Sequence, residues 1–197
     1  PAEAAQVDFG AGPQMMDPAT GQVRRTWCFV MTLCFSRHQY VEFVWDQTVA
    51  TWLGCHRRAF EWFGVVPQRV IIDNPKCAIT RACIHGPLVQ RAYAECAEGY
   101  GFRIDACPPA DPQKKGIVES GVKYIKRGFL PLREFRGLAE ANRQLAEWVL
   151  GEAGNASYNA IHRSVFVVRW SSTNPRYQRS NRPILLARRP AMTAAPF

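Results

Sequence analysis

The sequence predicts a mixed α/β fold, a five-stranded sheet flanked by helices, and three observations carry that prediction. Residues 24 to 45 read as a hairpin whose first strand is apolar on both faces. Short apolar runs at 69 to 72 and in FRIDAC lie between segments with helical spacing. The resulting order of strands, helix, strand, helix, strand, helix is that of a sheet covered by helices.

The first strand is short and ends in QVDFG, with Asp8 at its close. In the hairpin, Trp27, Phe29, Met31 and Leu33 alternate with Cys28, Val30 and Cys34, and QYVEFVW returns after a turn at Ser36 to His38. From 48 to 63, Val49, Trp52, Leu53, His56, Ala59, Phe60 and Phe63 fall on one helical face, and Gly64 stops the helix. A strand at 69 to 72 delivers Asp73, and Pro75 ends it. A helix is expected from Pro87 to Glu98, carrying Leu88, Val89, Ala92, Tyr93 and Cys96, followed by the fifth strand. The proline-rich linker PPADPQKKG then hands over to a basic amphipathic helix with the stripe Val118, Val122, Ile125 and Phe129. A last helix, 138 to 150, presents Leu138, Ala141, Leu145, Trp148 and Val149. These elements divide the chain into a core over 1–130, a helical extension over 131–154 and a tail over 155–197.

Composition narrows the class of protein. A hydrophobic content of 47% with six Trp excludes a disordered chain. No apolar stretch reaches the ~18 residues of a membrane span, so a soluble, cytoplasmic protein is expected. The seven cysteines lack C-x-x-C pairing, and the four histidines are scattered, so neither suggests zinc. The cysteines read as reduced core residues. The adjacent Cys55 and His56 point in different directions from a helix and read as packing. The net charge of +9 is uneven. All 16 acidic residues lie at or before Glu152, whereas seven of the 25 basic residues, every one an Arg, lie after 154. The body carries 18 basic residues against 16 acidic ones, so the basicity that matters is local, from Lys114 to Arg127.

Three carboxylates stand out: Asp8, Asp73 at the end of RVIIDN, and Glu119 in KKGIVES at the start of the basic helix. Taken singly, each has an ordinary reading, since Asp at a strand end caps turns and Glu beside Lys forms exposed pairs worth a few tenths of a kcal/mol. Taken together, they are the oxygen ligands that hard divalent cations prefer. Two such ions about 3.5 to 4 Å apart activate an attacking hydroxyl and stabilise a leaving oxygen in phosphodiester chemistry. Spacing alone leaves both readings open. Lys115, Lys123 and Lys126 share the helix face of Glu119 at intervals of four and seven, beside Arg127.

The segments QVDFG, TWCFVMTLCFSRHQYVEF, FGVVPQRVIIDN and KKGIVESGVKYIKRGF resemble the catalytic core of IstA-type insertion-sequence transposases, members of the DDE integrase superfamily, from about Glu3 to Gly154. The resemblance implies a ribonuclease H-like fold and matches the catalytic triad to Asp8, Asp73 and Glu119. It implies two Mg²⁺, with Mn²⁺ as a substitute, and DNA cleavage and strand transfer without a covalent enzyme intermediate. Asn74, Lys76, Lys115, Lys123, Lys126 and Arg127 become candidate DNA contacts, against the plainer reading of a solvated turn and helix face. The partners implied are element-end and target DNA, further copies of the chain assembled on that DNA, and an IstB-type AAA+ ATPase helper. The location implied is the bacterial cytoplasm, on the nucleoid when DNA is bound. Two other readings stand beside this one: an inactive remnant that binds DNA or an intact transposase, and a ribonuclease H-type hydrolase.

The chain departs from that pattern at both ends. It begins at Pro1, without the helix-turn-helix region of full-length relatives. After Gly154 it reads NASYNAIHRSVFVVRWSSTNPRYQRSNRPILLARRPA, with no acidic residue and no Lys. This composition suggests translation in a shifted frame, because moving one nucleotide permits Met, Arg, His, Thr, Thr as in the family segment. A truncated copy is the expectation, and a genuine basic DNA-binding arm is the alternative.

Overall fold

In the computed structural model the described residues are 2–73, 75–81, 88–106, 121–131 and 133–153. Strands β1 (Ala4–Asp17), β2 (Gln22–Leu33) and β3 (Gln39–Val44) precede helix α1 (Val49–Phe63). Then come β4 (Arg69–Ile72), β5 (Ile79–Arg81), β6 (Leu88–Val89), α2 (Arg91–Tyr100) and β7 (Arg103–Ala106). A helical segment, 121–129, ends in the π-helical turn Ile125–Phe129. Helix α3 (Leu138–Trp148) runs on into a second π-helical turn, Val149–Ala153. The main sheet has the order β3-β2-β1-β4-β7, and β5 pairs with β6 separately. The expected tail, together with Cys83, His85, Cys107 and His162, lies outside the described residues.

Strand β1 organises the sheet. It pairs antiparallel with β2 (Asp8 opposite Val30, Gly10 opposite Cys28) and parallel with β4 (Val7 level with Ile72). Alternate residues therefore serve two cores. Ala5 and Val7 join Phe29, Met31, Val70 and Ile72 against α1 and α2. On the other face Cys28, Val30, Val41 and Phe43 meet Val122, Ile125 and Phe129 of the 121–129 segment and Ala141, Leu145 and Trp148 of α3.

Several expectations stand, and two need correction. Helix α1 is capped by Thr48, whose side chain accepts from the Thr51 N–H, and ends at Gly64 with φ 64°, a left-handed turn that suits glycine. The β2 strand is buried on both faces from Cys28 to Leu33. The first strand, however, does not end at Asp8: it continues to Asp17 through a register shift between Ala11 and Gln14. Gly12 and Pro13 read as breakers but form this irregularity, where Thr26 Oγ1 donates to the Pro13 carbonyl at 2.7 Å. Likewise, Leu88 and Val89 are strand, not helix, and α2 starts only after Gln90, whose side chain caps Tyr93 N–H.

One outer strand and one buried histidine find their hydrogen bonds locally. Strand β3 is an outer strand, and Asn142 of α3 closes part of its edge. The Phe43 N–H donates to Asn142 Oδ1 at 2.7 Å, and Asn142 Nδ2 donates to the Phe43 carbonyl at 2.9 Å. His56, fully buried among Phe29, Trp52, Tyr93 and Phe102, has Nδ1 2.9 Å from the Trp52 carbonyl and Nε2 3.1 Å from the Tyr93 hydroxyl. The Cys55 and His56 pair is packing, as expected.

Two predictions follow from this packing. Replacing Asn142 with Ala removes both edge bonds and should lower unfolding free energy by about 1 to 2 kcal/mol in urea titrations. No loss of stability would show the edge to be adequately solvated without it. Burial, partly offset by the hydrogen bond to Trp52, lowers the His56 pKa from 6.5 to about 4. The unfolded chain therefore takes up the proton first. The stability from the neutral ring is complete above pH 6.5 and is withdrawn as pH falls toward 4. Between pH 7 and pH 5 the chain should lose about 2 kcal/mol, an order-of-magnitude figure, and His56→Gln should flatten that slope. An unchanged slope in the variant would assign the acid sensitivity elsewhere.

Candidate metal and nucleic-acid site

The site begins with register. Val7 of β1 lies level with Ile72 of β4 in a parallel pair. Asp8 follows Val7 within β1, and Asp73 follows Ile72 just beyond the end of β4. Val7 and Ile72 both enter the core under α1, and alternation along β1 turns Asp8 to the opposite face. Asp73 stands immediately beyond β4, at its carboxyl end, where open α/β sheets bind ligands. Both carboxylates are half-buried. The Phe9 N–H donates to Asp8 Oδ1 at 2.7 Å, a charge-assisted bond that restrains the carboxylate.

The 121–129 segment closes over the same face. A β-carbon built on Gly10, two residues past Asp8, would overlap a Val122 γ-methyl. One built on Gly121 would come within 3.3 Å of Val30 Cγ1, and Val30 is the β2 partner of Asp8. Cys28, opposite Gly10, reports the electrostatics. Burial pushes its thiol up to about 12, Lys126 lowers that value and Asp8 raises it. Asp8 and Lys126 thus approach one buried sulfur from opposite sides of the charge balance. The carboxylate oxygens of Asp8 and Asp73 are the donors that suit a hard cation.

Of the residues singled out from sequence, Asp8 and Lys126 both bear on Cys28, and Asp73 follows the end of the neighbouring strand β4. Lys123 and Arg127 are exposed on the same segment, and Lys76 is exposed in the turn after Pro75. Glu119, Asn74 and Lys115 lie outside the described residues. Among the described residues no group of three or more His, Cys, Asp and Glu gathers for a metal ion, so Asp8 and Asp73 are the described portion of the candidate set. Gly10 is the residue that sequence reasoning missed. Its signal was a glycine inside a strand, a common mark of close backbone approach.

The integrase core domain matches residues 1–112, and the chain belongs to that family. Its sequence relatives are insertion-sequence transposases. It is 35% identical over 150 residues to a protein of Mycobacterium tuberculosis named as a transposase, covering 76% of this chain and 37% of that one. It is 28% identical to the transposase of an IS21-like element of Bacteroides fragilis, covering 83% of this chain and 31% of the relative. The transposase of insertion sequence IS21 of Pseudomonas aeruginosa is 32% identical, covering 61% and 31% respectively. The chain thus spans less than two fifths of each of these relatives. Among solved structures, the HTLV-2 integrase catalytic core domain in complex with magnesium has a TM-score of 0.51 at 14% identity, covering 91% of this chain and 97% of that one. The catalytic core domain of BIV integrase has a TM-score of 0.50 at 15% identity, covering 80% and 99%. The fold is that of an integrase catalytic core, a ribonuclease H-like mixed sheet. No described helix is long and apolar enough to cross a membrane.

Proposed function

We propose that this chain is the catalytic core of an insertion-sequence transposase that cuts DNA and joins the freed 3′ end to a target by metal-dependent phosphodiester chemistry. The observation that carries the proposal is the parallel β1/β4 register, which runs to Val7 and Ile72, the residues immediately before Asp8 and Asp73, with Lys126 and Asp8 both bearing on Cys28. Glu119, two residues before the Gly121 that packs toward Val30, is the proposed third carboxylate. The three would hold two Mg²⁺, or Mn²⁺ in their place. Bound there, the cations would supply Lewis-acid activation of the attacking hydroxyl and charge for the leaving oxygen.

The remaining roles belong to the protein's own groups. The Phe9 N–H restrains Asp8 so that its oxygens keep one orientation. Lys126, Lys123 and Arg127, exposed on the covering segment, are proposed to seat phosphates of the bound strand, with Lys76, Asn74 and Lys115 as further contacts. The proposed partners are element-end and target DNA and further copies of the chain on that DNA. The resemblance to IstA-type transposases extends the proposal to an IstB-type ATPase helper.

Cleavage and joining of duplexes that carry insertion-sequence ends, with and without Mg²⁺, test the proposal, both for this chain and for a relative-length transposase containing this core. Asp73→Asn keeps shape but gives up the charge that holds the cation. It should abolish the Mg²⁺-dependent reaction and leave DNA binding intact. Undiminished cleavage in that variant, or cleavage indifferent to divalent cations, would overturn the assignment. DNA binding without metal-dependent cleavage in either protein would favour a binding remnant.

A second prediction concerns the lysines. Lys123→Ala and Lys126→Ala should each weaken binding alike across sequences and reduce the salt dependence of log K by about one unit. A sequence-selective loss would mean base contacts instead, and no change would return both lysines to a solvated helix face.

A further inference from the structure

We infer that Gly10 is a positioning residue for the metal site: its missing side chain seats the 121–129 segment on β1 beside Asp8 and fixes where that segment presents its groups to the carboxylate. The inference rests on the reading of Asp8 as a metal ligand. Backbone conformation does not account for the glycine, because the positive-φ glycines are Gly21, Gly64 and Gly101. Nor does strand stability, since glycine weakens a strand interior and β1 is the central strand of the sheet.

Space accounts for it. A β-carbon at Gly10 would overlap one γ-methyl of Val122 and stand 3.0 Å from the other and 3.2 Å from its Cβ. All three atoms belong to a β-branched side chain that is nearly fixed at χ1 within a helix, so the clash is not relieved by a rotamer change. The segment would have to move as a body. It is held on its far side by the buried Ile125 and Phe129 and at its start by Gly121, where a β-carbon would lie 2.8 Å from Gln39 Nε2. The displacement is therefore shared with β1 around Gly10, two residues from Asp8. Gly10 shares the Asp8 face two residues along the strand, and Lys126 acts on Cys28, the β2 partner of Gly10. Metal ligation tolerates displacements of only a few tenths of an ångström, so a displacement of β1 at Gly10 that reaches Asp8 is read out as lost cation affinity.

The test is a Mn²⁺ titration of the 197-residue chain followed by electron paramagnetic resonance, with thermal melting measured in parallel, on wild type, Asp8→Asn, Gly10→Ala, Val122→Ala and the Gly10→Ala, Val122→Ala double variant. Gly10→Ala should weaken Mn²⁺ binding about tenfold, the scale typical of residues that orient metal ligands. Val122→Ala should stay near wild type, and the double variant should recover toward it, because the smaller side chain makes room for the new β-carbon. If Asp8→Asn leaves Mn²⁺ binding unchanged, the reading of the site fails and the inference falls with it. If Asp8→Asn weakens binding but Gly10→Ala does not, the inference alone is overturned. A Gly10→Ala variant that melts earlier but binds Mn²⁺ normally assigns the glycine to packing only and overturns it too. Should Gly10→Ala fail to fold, the double variant decides. Affinity equal to that of Val122→Ala supports the inference, and affinity as weak as that of Asp8→Asn overturns it.

Discussion

The register of β1 between an antiparallel and a parallel neighbour is the constraint on which the rest of the structure depends. Side chains alternate along a strand, so a slip of one residue would exchange every side chain between the two faces. In the observed register Ala5 and Val7 fill the core under α1, while Gln6, Asp8 and Gly10 turn to the other face, where Gly10 meets Val122. After a slip Asp8 would enter a core built from Phe29, Trp52 and Ile72, where an ionised carboxylate is costly. The apolar core thus enforces the position of the polar site. The same register sets Ile72 level with Val7, because β4 has its own buried pair, Val70 and Ile72, on the α1 side, and Asp73 follows where β4 ends.

The two faces of the sheet differ in a way that matters for the site. Under α1 the packing is dense and aromatic, with His56 surrounded by Phe29, Trp52, Phe60, Tyr93 and Phe102. The opposite face is covered by a segment that changes from α to π geometry at Ile125, where Leu130 N–H bonds back to the Ile125 carbonyl at 3.1 Å. That turn keeps both Ile125 and Phe129 in the core and leaves Lys126 and Arg127 exposed. Trp148 of α3 lies across the turn, 5.6 Å from Phe129 and 5.1 Å from Tyr124 between ring centroids. Helix α3 therefore supports the site at one remove, by bracing the segment that covers Asp8.

Much of this was legible in the sequence because burial leaves periodic traces. The β2 run from Trp27 to Leu33 and the α1 stripe through Trp52, His56 and Phe60 were read correctly since apolar side chains alone create those patterns. The extension of β1 to Asp17 was not, because Gly10, Gly12 and Pro13 signal a break locally and only the pairing with β2 overrides them. Leu88 and Val89 failed for a related reason: two apolar residues before a helix match its spacing, and their pairing with β5 is a nonlocal fact. As for the site, Asp8 and Asp73 were picked out by resemblance to a family, with spacing leaving an ordinary turn-capping role open. Gly10 carries only the general signal of a glycine within a strand, and the side chain it makes room for, more than a hundred residues away, is a nonlocal fact.

Charge completes the physical picture. Asp8 and Asp73 are half-buried acids carried by neighbouring strands, and like charges drawn together in a partly buried place repel. The body of the chain, near balance in formal charge, does not offset this by a general excess of basic residues. Compensation is local instead. Lys126 bears on the same buried sulfur as Asp8, and the Phe9 N–H points its dipole into the carboxylate. On the proposed reading, these acids beneath a segment that carries lysines make a place where added positive charge is favourable, and a divalent cation would bring that charge without a side chain having to be buried with it.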